Sequence, residues 1–85
     1  MKTTAPVDER LTQIATMVAD LLEATPEEVE RATSFADDLS ADSFLLIELA
    51  ARLEQRFGVE LGQEDLTRLN DLSATYRVVA EKAGW

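Results

Sequence analysis

Two long stretches of the chain repeat their apolar residues at spacings of three and four, the period of an α-helix. In the first, Val7, Leu11, Ile14, Val18, Leu21 and Leu22 keep this spacing while Glu9, Thr12, Thr16, Asp20 and Glu23 fall on the other side, predicting an amphipathic helix from Val7 to Glu23. In the second, Ser43 to Phe57, the apolar side chains divide into two groups: Leu46, Leu49, Ala50, Leu53 and Phe57 form one stripe, and Phe44, Ile47 and Ala51 lie well away from it, with Leu45 at the margin. One core contact cannot readily bury both groups, so this helix carries apolar surface suited to a partner. Gly58 then provides the left-handed stop that glycine adopts without a side-chain clash.

Around these two helices the pattern is shorter-ranged. Thr25-Pro26-Glu27-Glu28 reads as a capping box with proline at the first helical position, starting a brief turn through Val29. From there to Asp42 the pattern is irregular, a long connection anchored by Val29, Phe35 and Leu39. Val59 and Leu61 anchor a loop, Gln63 to Leu69 predicts a short helix, and Asn70 or Asp71 caps a last helix in which Leu72, Tyr76 and Val79 repeat. The expected fold is all-α, a small four-helix bundle of three main helices and one short one, with a long first loop. A single domain spans residues 1–85, with an ordered core from about 7 to about 83.

Composition narrows what such a bundle can do. A chain of 85 residues, 46% of them hydrophobic and with only three Gly and two Pro, has the material for one core but little from which to build a deep catalytic cleft. It contains neither cysteine nor histidine, which removes disulfides, thiolate metal sites, thiol nucleophiles and the commonest general base. No metal site and no enzymatic activity are expected. The formal net charge of −9, from 17 acids against eight bases, repels nucleic acid and anionic membranes, leaving a basic protein surface as the natural partner. Asp20, Glu23, Glu27, Glu28, Glu30, Asp37, Asp38, Asp42 and Glu48 fall in a stretch whose only base is Arg31. No secretory leader or membrane span is evident, so a cytoplasmic location is expected; the chain is also expected to be a monomer.

Recognisable chemistry sits where the acidic loop meets the second long helix, Ser34-Phe35-Ala36-Asp37-Asp38-Leu39-Ser40-Ala41-Asp42-Ser43-Phe44. A serine in the first turn of a helix lies where unsatisfied backbone N–H groups and the macrodipole favour a phosphate ester. Ser43 has no activating base in sequence reach, so it does not read as a self-sufficient catalytic nucleophile. Taken alone, Ser43, Asp42 or Ser40 also reads as an ordinary helix cap. In the order Phe35, Leu39, Asp42, Ser43, Phe44, Ile47, Glu48, Leu49, Leu53 and Phe57, and in the flanking Pro26-Glu27-Glu28-Val29 and Phe57-Gly58-Val59-Glu60-Leu61, the chain resembles the acyl and peptidyl carrier protein family over nearly its whole length.

That resemblance implies a 4'-phosphopantetheine arm attached to Ser43 by a phosphopantetheinyl transferase that uses coenzyme A and magnesium, with Asp42 helping to present the serine. It implies an acyl or aminoacyl cargo held as a thioester and offered in turn to loading, condensing and tailoring enzymes. Partner contacts are expected at Phe44, Ile47, Glu48, Ala51, Asp37 and Asp38. Ser40 replaces the glycine common in fatty acid carriers, Leu45-Leu46 replaces their polar pair, and Arg52 and Arg56 balance Glu48 and Glu54. These departures favour a discrete carrier in polyketide or nonribosomal peptide biosynthesis. The alternative is an unmodified helical adaptor that docks a partner through Phe44, Ile47 and Ala51.

Overall fold

In a computed structural model, which describes residues 5–85 and side chains from residue 9 onward, six helices follow in order: α1 (Ala5–Leu22), α2 (Pro26–Arg31), α3 (Phe35–Asp38), α4 (Ser43–Phe57), α5 (Gln63–Leu66) and α6 (Leu72–Ala83). Three are long and three are short, of six, four and four residues. α1 packs against α2, α4 and α6, and the side chains that meet there are the periodic ones: Ile14 and Val18 from α1, Leu49 and Leu53 from α4, and Val79 from α6 are all buried. Val7, expected on the same stripe, lies outside the described side chains.

The ends of the elements follow from local chemistry. α1 stops one residue before the expected Glu23, because Glu23 turns left-handed at φ 57° and the Ala24 N–H closes back on the Ala19 carbonyl at 2.9 Å, the Schellman arrangement that satisfies a terminal carbonyl. The Thr25 box forms in full: Thr25 Oγ1 accepts from the Glu28 N–H at 3.1 Å and Glu28 Oε1 accepts from the Thr25 N–H at 2.9 Å. Gly58, at φ 69°, ends α4 as its sequence position predicts. Of the two candidate caps for α6, Asp71 is the one used, its Oδ1 accepting from the Ala74 N–H at 2.8 Å.

Two stretches differ from the sequence pattern. The connection before Asp42 contains a helical turn, α3, that four residues cannot announce by periodicity. α5 ends at Leu66 and not at Leu69, since the chain tightens into three-residue turns, Arg68 N–H to Asp65 carbonyl at 3.0 Å and Leu69 N–H to Leu66 carbonyl at 3.2 Å. That tightening drops Leu69 into the core, where it is fully buried.

An ion cluster holds α5 against α6. Asp65 is buried; its Oδ2 accepts from the Gly62 N–H at 2.9 Å and lies 3.3 Å from Lys82 Nζ, and its Oδ1 lies 3.6 Å from Arg68. Arg68 in turn forks onto Glu81 at 2.8 and 3.0 Å. At the far end, Trp85 stands edge-on to Phe57 at 5.3 Å and near Tyr76 at 5.5 Å, with the Arg10 guanidinium 4.2 Å above its ring. This aromatic and cationic group ties α1, α4 and α6 together where the bundle would otherwise fray.

Candidate functional site

Ser43 opens α4, and the residue before it sets its geometry. Asp42 is extended at φ −100° and ψ 178°, and its Oδ1 caps the helix by accepting from the Leu45 N–H at 2.9 Å. The first intrahelical bond runs from the Leu46 N–H to the Asp42 carbonyl, so the amides of Ser43 and Phe44 precede any helical carbonyl able to take them. Ser43 is exposed. An exposed hydroxyl beside two outward amides, on the positive end of a 15-residue helix, suits a covalently bound phosphate ester. The residues present at this helix start therefore fit a phosphate-linked group.

The two apolar groups on α4 separate as the projection predicts. Leu49, Ala50 and Leu53 are buried and Leu46 and Phe57 are partly buried against the core, whereas Phe44 is 71% exposed, Ile47 is 53% exposed and Ala51 is exposed. Neither Phe44 nor Ile47 folds under the long loop. Ile47 and Ala51 also form one wall of a cleft of about 210 Å³ whose other side is Leu61, Gly62 and Leu66. The apolar face next to Ser43 thus has a concave edge.

The acidic residues divide in their roles. Asp37, on α3, is exposed. Glu48 lies 3.5 Å from Arg52, which also meets Asp20 of α1 at 3.2 Å, so its charge is shared with the bundle. Asp38, expected alongside Asp37 on the contact surface, turns its Oδ2 to the chain itself: it accepts from the Thr33 N–H at 2.8 Å, the Thr33 hydroxyl at 3.2 Å and the Ser34 N–H at 3.2 Å. The Thr33 and Ser34 amides, aided by the Thr33 hydroxyl, hold the Asp38 carboxyl below its ordinary value. Glu54 accepts from the Leu61 N–H at 2.8 Å and so fastens the loop after α4.

Ser40 has φ 59°, one of two non-glycine residues at positive φ among those described. Neither the left-handed turn at Ser40 nor the bonds that Asp38 makes to Thr33 and Ser34 is evident from the sequence pattern. A signal was present: Ser34-Phe35-Ala36-Asp37 has the spacing of a helix cap, and Ser34 Oγ does accept from the Asp37 N–H at 3.2 Å. Among the described residues no three acidic side chains gather as a metal site, and no helix is long and apolar enough to cross a membrane.

Comparison with known proteins accords with this geometry. The chain is 35% identical over 82 residues to polyketide-8 synthase acyl carrier protein 2 of Streptomyces avermitilis, covering 96% of this chain and 92% of that protein. It is 44% identical over 61 residues to the acyl carrier protein of Thermosynechococcus vestitus, covering 72% and 75%. A chain in the solved structure of the ishigamide ketosynthase/chain length factor superposes with a TM-score of 0.74 at 31% identity, covering 91% of this chain and 97% of that one. The acyl carrier protein of Enterococcus faecalis superposes with a TM-score of 0.74 at 25% identity, covering 88% and 95%. Residues 12–79 match the phosphopantetheine attachment site family, and with these relatives they establish that the chain belongs to it, as a non-catalytic acyl carrier protein whose cofactor is covalently attached 4'-phosphopantetheine.

Proposed function

We propose that Ser43 is the attachment residue and that the chain serves a polyketide-type pathway, presenting an acyl intermediate to loading, condensing and tailoring enzymes. The observation that carries this reading is the exposed Ser43 at the first turn of α4, capped by Asp42 and bordered by exposed Phe44, Ile47 and Ala51. In attachment the Ser43 oxygen forms a bond to the β-phosphorus of coenzyme A, the phosphoanhydride bond breaks, and 3',5'-ADP leaves. The serine proton goes to a base on the transferase, since this chain has no histidine and the neighbouring Asp42 carboxylate is engaged as the helix cap, accepting from the Leu45 N–H. When bound, the arm supplies a terminal thiol that holds cargo as a thioester.

The chain's own residues do the positioning. Asp42 fixes the helix start, the outward amides of Ser43 and Phe44 favour the phosphodiester, and the Phe44–Ile47–Ala51 face with Glu48 and Asp37 receives partner enzymes. The polyketide assignment draws support from the Streptomyces avermitilis relative and from the superposition on a chain solved with a ketosynthase/chain length factor. Both acyl carrier relatives favour an acyl over an aminoacyl cargo, and the family favours carriage over an unmodified adaptor. The test is to offer the phosphopantetheinylated protein to a malonyl transferase and, separately, to amino-acid-activating adenylation enzymes. Malonyl loading is expected; aminoacyl loading alone would contradict the acyl assignment.

A further inference from the structure

The position of Ser43 traces back through backbone hydrogen bonds to a clasp in the preceding loop. Phe35 is the pivot. Its ring is fully buried, its N–H donates to the Asn70 carbonyl at 2.7 Å, and its own carbonyl accepts from both the Leu39 N–H and the Ala41 N–H at 3.0 Å. For two amides two residues apart to reach one carbonyl, the chain between them has to turn sharply, and Ser40 makes that turn in the left-handed region. Ala41 is thereby buried, and Asp42 and Ser43 follow directly.

Every one of these bonds depends on the orientation of α3, and a helix of four residues has no stability of its own. Two side chains close it. Ser34 Oγ takes the Asp37 N–H, and Asp38 Oδ2 reaches back to take the Thr33 and Ser34 amides and the Thr33 hydroxyl. The backbone adds an Asp38 N–H to Ser34 carbonyl bond at 2.8 Å. A carboxylate accepting three bonds is the strongest of these fasteners.

We infer that Asp38 is a positioning residue for Ser43, clasping the Thr33–Ser34 turn so that α3, the Phe35 carbonyl and left-handed Ser40 hold the Asp42–Ser43 junction in the geometry the transferase engages. The inference rests on the carrier reading for its functional consequence and gives Asp38, whose Oδ2 is engaged by the loop, a role different from that of Asp37, which joins the clasp through its backbone N–H. Asparagine keeps an acceptor for the amides while removing the charge, so the two roles separate by substitution.

The experiment compares the wild-type chain with Asp38→Ala, Asp38→Asn and Asp37→Asn, measuring transferase kinetics with coenzyme A and amide hydrogen exchange. Asp38→Ala is expected to lower kcat about tenfold with KM within about twofold, as misplacement of a reacting group does. Its Leu39 and Ala41 amides exchange at least about tenfold faster, while Val18 and Leu53 in the core keep their protection. Asp38→Asn restores kcat to within about threefold of wild type, and Asp37→Asn leaves exchange at Leu39 and Ala41 unaltered. Equal losses in both Asp38 variants through a raised KM would make Asp38 a charge contact and overturn the inference, as would unchanged kinetics in Asp38→Ala or an equal loss of protection at Val18 and Leu53. If wild type itself is not modified, the carrier reading fails, and the exchange at Leu39 and Ala41 still decides whether the clasp exists.

Discussion

The Phe35 N–H and the Asn70 carbonyl meet at 2.7 Å, joining the loop that leads to Ser43 to the turn that leads into α6. With its ring fully buried, Phe35 is both a core side chain and the point where two connections cross. Phe35→Ala is expected to cost about 3–5 kcal/mol, the usual loss for emptying a large aromatic site, out of a total near 5–15 kcal/mol for a domain. Urea denaturation checks this; a change within about 0.5 kcal/mol, as for surface substitutions, would contradict the packing described.

Thr75 is fully buried on α6 and its Oγ1 finds no hydrogen-bond partner among the described residues. An unsatisfied buried hydroxyl costs about 1–3 kcal/mol, and valine has the same shape without it. Thr75→Val is expected to raise stability by about 1 kcal/mol, seen as a higher denaturation midpoint with an unchanged slope. A loss of stability would mean that the hydroxyl is satisfied.

Acid stability should depend on Asp65. The Gly62 amide first, then Lys82 and Arg68, hold its carboxyl below its ordinary value, so the unfolded chain takes up a proton at higher pH than the folded one. The contribution is fully present above the unfolded value and is lost as pH falls through the lowered folded value. Asp65→Asn is expected to lower Tm at pH 7, with the gap to wild type closing below about pH 4. A gap that is the same at every pH would remove the charge of Asp65 from the account.

Most of the fold is legible in the sequence because it is periodic or capped. α4 runs from Ser43 to Phe57 as its spacing predicts, Gly58 stops it, and the Thr25 box closes with both partners. What the sequence does not disclose is set by contacts between distant segments. α3 exists because Asp38 reaches back to Thr33 and Phe35 is pinned to Asn70, and neither leaves a repeating pattern. Asp65 reads as one more surface acid until Arg68 and Lys82 are seen beside it, and Trp85 acquires a role only when Arg10, Phe57 and Tyr76 surround it. The division of α4 into a core stripe and an exposed face was readable, since a helix wheel alone separates Leu49 and Leu53 from Phe44 and Ile47.

That exposed face makes its own prediction. Ile47→Ser and Ala51→Glu sit at exposed positions, so their effect on Tm should be small, whereas the rates of transferase modification and acyl loading should fall about tenfold or more, as when a central interface contact is lost. Unchanged rates, or rates that fall only in proportion to the folded fraction, would remove this face from partner recognition.

The central claim is that Ser43 bears the arm, and intact-mass measurement tests it most directly. The wild-type chain, incubated with coenzyme A, magnesium and a broad-specificity transferase, should gain the mass of one phosphopantetheinyl group, mapped by peptide fragmentation to Ser43. Ser43→Ala should remain folded, because the residue is exposed at the helix start, and gain nothing. A wild-type chain left unmodified by several active transferases, or a label found on Ser34 or Ser40, would contradict the account.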